Sequence, residues 1–288
     1  MTRSRATAIG FVAVLLWALL ALFTVGTAPT PPLLLNAISF TIGGGIGMIW
    51  VARTGGFARL RAISWKIYAF GTLGLFGYHA LYFSALRLAP AAEAGLIAYL
   101  WPLLIVLFSG LLPGERLRRG HLVGALCGFA GAALIIAGGS GAGFDITSLP
   151  GYLLALAGAL TWAGYSVISR HLGAAPTATV AVFCVATAIL SAGLHLVLEE
   201  TIWPATPLAW ASALALGLGP VGLAFYVWDI GVKRGDIQLL GTASYAAPLL
   251  STLILVGVGV AEPTWLLAAA TVLITGGAIL AARASLRG

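Results

Sequence analysis

The sequence predicts an all-α polytopic membrane protein with ten transmembrane helices in a five-plus-five inverted repeat around a central cavity. The composition, the spacing of the apolar segments and the similarity of the two halves of the chain support this prediction. Of the 288 residues, 60% are hydrophobic and 8% are charged, whereas an average soluble domain has about 25% charged residues. Such a chain cannot cover a soluble fold of this size with polar side chains. The net charge of +7 would suit a nucleic-acid partner, but the basic residues lie at the ends of apolar segments, which indicates membrane topology instead.

Ten apolar segments are long enough to cross a bilayer, which takes about 20 mainly apolar residues. Charged residues, prolines and glycine clusters separate them. We predict spanning helices at 6–26, 32–51, 65–87, 90–112, 119–138, 150–171, 176–197, 207–232, 236–258 and 264–284. The first is predicted to stay uncleaved, because its apolar run exceeds the roughly 7–15 residues typical of a signal peptide. The connections leave no room for a separate soluble domain.

The distribution of lysine and arginine predicts that both termini are cytoplasmic. With the N-terminus inside, fourteen of the fifteen basic residues fall on the cytoplasmic side and only Arg87 falls outside. Positively charged loops remain in the cytoplasm, so the bias favours this orientation and an even number of helices. The expected location is the inner membrane of the cell.

The two halves of the chain, 6–138 and 150–284, show weak but collinear similarity. Equivalent residues are separated by an offset of 146. The aligned pairs are Gly71 with Gly217, Arg87 with Lys233, Gly95 with Gly241, Tyr99 with Tyr245 and Pro102 with Pro248. Trp17 aligns with Trp162 at nearly the same offset. Each half holds five predicted helices, an odd number, so the second half would enter the membrane upside down. Such inverted repeats are typical of transporters, with the substrate site near the midplane.

The chain resembles the EamA-type members of the drug/metabolite transporter superfamily. The stretch "APAAEAGLIAYLWPLLIVLFS" and the "GER" that follows are similar to the most recognisable segment of that family, and "YAAPLLSTLILVGVGVAEP" occupies the same place in the second repeat. The density of aromatic residues at membrane depth looks most like that of the bacterial exporters of aromatic amino acids. The resemblance implies a transporter. The direction, export rather than uptake, is inferred from the resemblance and from no residue of the sequence.

Three tryptophans are predicted to lie at midplane. Tryptophan normally collects at the membrane interfaces, and six of the nine do so by position: Trp50, Trp65, Trp203, Trp210, Trp228 and Trp265. Trp17, Trp101 and Trp162 fall near the middle of their segments. They either fill space between helices or line a shared cavity, because an indole N–H in a dry core needs a partner.

The stretch "GYHALYFSAL" places three polar side chains on one face of the third helix. Tyr78, His79 and Tyr82 fall within an arc of about 100°, and polar residues in a membrane helix turn towards the bundle interior or water. A hydrogen bond from His79 to a neighbouring helix is the alternative. We predict that these residues line the cavity with Trp17, Tyr99, Trp101, Trp162 and Tyr245.

Pro102 and Pro248 occupy equivalent mid-helix positions and predict kinks. A proline removes the hydrogen bond to the carbonyl four residues earlier. The carbonyls of Ala98 and Ser244 are therefore expected to be free at midplane, where a substrate ammonium group or water could bind. Simple packing kinks are the alternative.

Two acidic residues lie within predicted helices but away from midplane. Asp229 is four residues before Lys233 and is expected to form a local ion pair. Glu93 is expected to be solvated near the outer face. Neither position suits a central proton relay, and the chain shows no catalytic triad or paired carboxylates.

The sequence predicts no metal site or cofactor. Cys127 and Cys184 lie 57 positions apart in apolar runs and are interpreted as packing residues. The "GGSGAG" loop at 138–143 has no lysine after it and is not expected to bind phosphate.

The predicted function is transport of a small amphipathic solute of zero net charge, with aromatic and other neutral amino acids as the favoured substrates. Aromatic rings would stack on the solute and bind its ammonium group. Export of other small metabolites or drugs remains the alternative. A nucleotide-sugar carrier would need buried basic residues for phosphate, and an exporter of lipophilic cations would be expected to carry a glutamate within "VLLWALLAL" of the first helix. A membrane enzyme would need a nucleophile or an acid pair, which the sequence does not show.

Overall fold

The computed structural model describes residues 1–137, 145–172, 175–259 and 262–286, and the regular structure within them is entirely helical. The predicted all-α class is therefore confirmed for these residues. The glycine-rich loop at 138–143 lies outside them.

The first half of the chain forms eight helices. They are α1 (Arg3–Ala18), α2 (Leu20–Gly26), α3 (Pro32–Arg53), α4 (Phe57–Arg61), α5 (Trp65–Leu88), α6 (Ala91–Ala98), α7 (Trp101–Ser109) and α8 (Arg119–Ala137). The second half forms seven. They are α9 (Leu149–His171), α10 (Thr179–Leu198), α11 (Pro207–Leu218), α12 (Ala224–Arg234), α13 (Ile237–Ala243), α14 (Ala246–Gly257) and α15 (Trp265–Leu286).

Nine helical segments among the described residues are long and apolar enough to cross a membrane. They coincide with nine of the ten predicted spans and establish a multi-pass membrane protein. Helix α5, which corresponds to the remaining predicted span, is 24 residues long but is not among the nine. Its tyrosines, glycines and histidine make it less apolar.

The predicted fourth span is broken into α6 and α7. Helix α6 ends at Ala98, and α7 begins at Trp101, with Pro102 as its second residue. Proline is tolerated in the first turn of a helix, where its missing N–H leaves no hydrogen bond unmade. Pro102 therefore starts a new helix next to Tyr99 and Leu100 instead of bending a continuous one.

The ninth predicted span is broken in the same way into α13 and α14. Ser244 and Tyr245 lie between the two helices, and Pro248 is the third residue of α14. The expectation of a free Ser244 carbonyl is wrong, because this carbonyl accepts a hydrogen bond of 3.0 Å from the Ala247 amide. A tight turn at the break satisfies the group that the proline would otherwise leave unpaired.

Helices of the two halves pair in a reciprocal pattern. Helix α3 packs on α10, and α8 packs on α15, so that helices which the predicted repeat makes equivalent meet each other. Helix α5 packs on α9, and α1 packs on α12. In each of these two pairs, the first predicted span of one half meets the third predicted span of the other half. Small residues allow the close approach: a Cβ atom added to Gly10 of α1 would lie 2.7 Å from the Cα atom of Gly231.

One end of the bundle, here called the terminal side, holds the beginning of α1 and the end of α15. Arg3 forms an ion pair with Glu115, and the Arg118 guanidinium donates to the Ala284 carbonyl. The opposite end, the far side, holds Arg87 and Glu199, which form an ion pair of 2.9 Å.

Candidate functional site

Four tryptophans from four different spans meet at the centre of the bundle and form what we call the aromatic cluster: Trp17, Trp101, Trp162 and Trp228. The ring centroid of Trp17 lies 5.9 Å from Trp101, 6.0 Å from Trp162 and 5.1 Å from Trp228. Most pairs are edge-to-face, the arrangement that the ring quadrupoles favour. The three tryptophans predicted at midplane are thus in mutual contact, since Trp101 and Trp162 lie 6.4 Å apart.

Trp228 was expected at a membrane interface, and that expectation is wrong. Its side chain is only 1% exposed, and its indole Nε1 donates a 3.1 Å hydrogen bond to the Ser166 hydroxyl. Proximity to the end of α12 suggested an interface, but α12 packs against α1 and α9 over this length. Tertiary packing therefore places the residue inside the bundle.

Trp17 is anchored to an irregular segment of the eighth predicted span. Its indole Nε1 donates a 3.1 Å hydrogen bond to the carbonyl of Pro220, within a π-helical turn at Gly219–Leu223. Such turns release a carbonyl from the regular helical pattern and frequently occur at functional sites. Helix α1 itself ends at Ala18, directly after Trp17. Both spans are thus irregular where they touch.

Tyr78, His79 and Tyr82 of α5 lie beside the aromatic cluster, and all three are partly exposed. The rings of Tyr78 and Tyr82 are stacked with centroids 6.1 Å apart, and Tyr78 lies 5.5 Å from Trp162. The hydroxyl groups of Tyr78 and Tyr82 form no hydrogen bond to any described residue. Polar atoms in this condition are available to a solute or to water.

The imidazole of His79 has a defined orientation. Nδ1 lies 2.7 Å from the Leu75 carbonyl, which can only accept, so Nδ1 carries a proton. In the neutral ring Nε2 is consequently an acceptor, and only an imidazolium could donate from Nε2 to a carboxylate. The ring packs edge-on against Phe40 at 5.1 Å. The bond stays within α5, so the alternative of an interhelical bond from this nitrogen does not apply.

Two phenylalanines complete the site and were not singled out from the sequence. Phe225 stacks on Phe40 at 5.4 Å and lies 6.1 Å from His79 and 5.7 Å from Trp162. The internal repeat could have identified it, because the offset of 146 places Phe225 opposite His79 and Trp228 opposite Tyr82. Phe40 has no such signal, since it is one of many apolar residues in its span.

Tyr99 borders a cavity of about 250 Å³, which lies between Trp17 and the far side of the bundle. Pro248, Ser251 and Thr252 of α14 form another part of its wall, as do Leu20 and Ala21 of α2. Trp17 therefore belongs both to the aromatic cluster and to the wall of this cavity.

Tyr245 occupies a different environment from Tyr99, with which it aligns at the offset of 146. Its side chain is fully buried, and its hydroxyl accepts a 3.1 Å hydrogen bond from the Leu103 amide. That amide lies in the first turn of α7, where helical partners are missing. The structure therefore places Tyr245 in a role that joins the two broken spans and does not bring it into the cavity wall.

The two acidic residues differ from each other. Asp229 forms the expected local ion pair, with Lys233 Nζ 2.7 Å from its Oδ1 atom. Glu93 is only 5% exposed, and its Oε2 atom is buried without a hydrogen-bond partner. The expectation that Glu93 is solvated is wrong, because α6 packs its first turn against α8 and α9. Over the described ranges, no three histidine, cysteine or acidic side chains are grouped as metal ligands.

Comparison with known proteins agrees with this architecture. The model of the EamA-like transporter family matches residues 5–137 and 149–283. The aromatic amino acid exporter YddG of Ancylobacter novellus is 56% identical over 283 residues, covering 98% of each chain. The aromatic amino acid exporter YddG of Escherichia coli is 27% identical over 266 residues, covering 88% of each chain.

A solved crystal structure has the same fold, with a TM-score of 0.92 and 54% sequence identity over 97% of this chain and 98% of that chain. The family match covers both halves of the protein and most of its length, and the predicted transporter, rather than an enzyme, is confirmed. On this evidence the chain belongs to the EamA-like transporter family.

Proposed function

We propose that this protein exports aromatic amino acids, and other neutral amino acids, across the inner membrane by alternating access. The aromatic cluster, with Tyr78 and His79 beside it, is the observation that carries the proposal. Aromatic side chains of a solute can stack on its rings, and the tyrosine hydroxyls and the His79 acceptor suit an α-amino acid head group. Two relatives named as aromatic amino acid exporters support this substrate class.

The membrane arrangement we propose has ten spans, with α5 as the tenth. At about 1.5 Å per residue, its 24 residues exceed the roughly 30 Å of a bilayer core. Tyr78 and His79 contact aromatic rings of other helices inside the bundle, which reconciles the lower apolarity of α5 with a membrane position. The two segments matched by the family model, together with the reciprocal helix pairs, support a five-plus-five inverted repeat.

The terminal side is then cytoplasmic, and the far side faces outwards. Ion pairs close the terminal side: Glu115 bonds to both Arg3 and Arg170, and Arg3 lies 3.4 Å from Asp236. The 250 Å³ cavity lies on the far side of Trp17. From the position of this cavity we infer an outward-facing conformation.

Resistance of cells to a toxic phenylalanine analogue tests the proposed function. Cells that express the protein should tolerate p-fluorophenylalanine at higher concentrations than cells that express the Trp101→Ala variant, with matched membrane levels of the two proteins. Equal sensitivity of both strains and of cells without the protein would contradict the proposal. A strain resistant only to toxic compounds without an amino-acid head group would indicate export of other metabolites.

A further inference from the structure

A buried ion pair lies on the terminal side of the aromatic cluster. Asp229 follows Trp228 directly in α12, and its carboxylate lies 2.7 Å from Lys233 Nζ. The Asp229 side chain is 1% exposed and the Lys233 side chain 6% exposed. Charges inside a membrane protein are costly to bury and usually mark a pathway for a solute or an ion.

Both charged groups also bind the segment between α9 and α10. The Thr177 hydroxyl donates a 2.7 Å hydrogen bond to Asp229 Oδ2, and Lys233 Nζ donates a 3.0 Å bond to the Ala175 carbonyl. These bonds hold α12 against the neighbouring segment. They do not use every hydrogen of the ammonium group, which has three donors.

A small cavity of about 10 Å³ lies next to the ion pair. It is large enough for about one water molecule. Its polar wall includes Asp229, Lys233, Ser169 and Thr179, and its apolar wall includes Phe70 and Phe183. Opposite charges, hydroxyls and two aromatic rings thus converge on one small, partly enclosed space, which must widen to admit a solute larger than water.

We propose that Asp229 and Lys233 form a second substrate site on the terminal side, which binds the zwitterionic head group of an α-amino acid. The substrate carboxylate would bind Lys233 and its ammonium group would bind Asp229, while an aromatic side chain would lie against Phe70 or Phe183. This site rests on the proposed function, because it supplies solute to the aromatic cluster from the cytoplasm.

A zwitterion can bind between Asp229 and Lys233 without leaving either charge unpaired. When the solute separates Asp229 from Lys233, each residue gains an opposite charge in place of the one it loses. An amine without a carboxylate would leave Lys233 unpaired, and an acid without an ammonium group would leave Asp229 unpaired. Uncompensated buried charges are strongly unfavourable.

The pair is present in only one half of the internal repeat. The offset of 146 places Arg87 opposite Lys233 but Phe83 opposite Asp229. Arg87 is 45% exposed and pairs with Glu199, a residue of the other half. The described chain therefore offers a buried site of both signs on the terminal side, without an equivalent one at these positions on the far side.

Competition from the terminal side of the membrane tests the proposal. Uptake of radiolabelled phenylalanine into inside-out vesicles would be measured with phenethylamine, which lacks the carboxylate, and 3-phenylpropionate, which lacks the ammonium group. Unlabelled phenylalanine should compete from the terminal side at least about tenfold more strongly than either analogue, since each analogue lacks one of the two charged groups and leaves one residue of the pair without its partner. Equal competition by all three compounds in the wild-type protein would overturn the proposal without any mutation.

Two double variants then assign the discrimination to the pair. Asp229→Asn with Lys233→Met should lose the preference for phenylalanine, whereas the exchanged pair Asp229→Lys with Lys233→Asp should retain most of it. Arg3→Gln is the matched control, because it removes the ion pairs with Glu115 and Asp236 on the same side but outside this cavity, and it should leave the preference for phenylalanine over the two analogues unchanged. A neutral pair that keeps the wild-type preference, or an Arg3 variant that loses it equally, would overturn the second site. Wild-type vesicles that take up no phenylalanine would instead refute the proposed function.

Discussion

The indole Nε1 of Trp17 donates a 3.1 Å hydrogen bond to the carbonyl of Pro220, across 203 positions of the chain. The bond connects the end of α1 with the π-helical turn of the eighth span. Because Trp17 also touches three other tryptophans, a change in the angle between these spans would alter the whole aromatic cluster. We regard this contact as the link between helix geometry and the substrate site.

Trp17→Phe should lower both stability and transport. The phenylalanine keeps an aromatic ring but leaves the Pro220 carbonyl without its donor, which costs about 1–3 kcal/mol for a buried group. The unfolding temperature in detergent and the initial rate of phenylalanine uptake would measure the effect. Trp162→Phe is the matched control, since the indole nitrogen of Trp162 forms no hydrogen bond to a described residue. A Trp17 variant as stable as this control would remove the proposed role of the bond.

His79→Ala should weaken transport of every solute that carries an ammonium group. The Leu75 carbonyl holds the proton on Nδ1, so the neutral ring presents an acceptor at Nε2. Phenylalanine and phenylalaninamide should lose transport rate by a similar factor of several-fold, and 3-phenylpropionate should be less affected. Competition assays in proteoliposomes would compare the three. If only phenylalanine and 3-phenylpropionate, the two compounds with a carboxylate, lose affinity, then the imidazolium form of His79 binds that carboxylate instead.

Gly10→Val should disrupt the contact between α1 and α12. A Cβ atom at this position would lie 2.7 Å from the Gly231 Cα atom, and backbone at that distance cannot move aside cheaply. We expect a lower yield of folded protein and a lower unfolding temperature. Gly45→Val is the control, because its added Cβ meets no described atom within 4 Å. Equal unfolding temperatures of the two variants would show that α1 and α12 can move apart without loss of stability.

Both termini should lie in the cytoplasm if α5 crosses the membrane. A C-terminal alkaline phosphatase fusion should be inactive, because this enzyme folds only in the periplasm, and a C-terminal green fluorescent protein should be bright. The basic residues at the terminal side give the physical reason. An active phosphatase fusion would mean an odd number of spans, as expected if α5 did not cross.

The sequence was sufficient to predict the helical class, nine of the spans and the central position of three of the four tryptophans of the aromatic cluster. Apolar length determines the spans, and polar residues in a membrane helix must face the interior, which identifies Tyr78 and His79. Trp228 and Glu93 were placed wrongly because position near a helix end does not reveal what packs against it. Tyr245 shows the limit of the repeat, since symmetry predicts an equivalent position but not equivalent exposure.

Counterflow of radiolabelled phenylalanine in proteoliposomes tests the central claim most directly. Liposomes that contain the purified protein and unlabelled phenylalanine should accumulate the label transiently, and Trp101→Ala should reduce apparent affinity by several-fold because it removes aromatic contacts worth about 0.5–1.5 kcal/mol each. Trp203→Ala, which alters a tryptophan that is 55% exposed, should behave as the wild type. No counterflow by the wild-type protein, or an equal loss in both variants, would contradict a substrate site at the aromatic cluster.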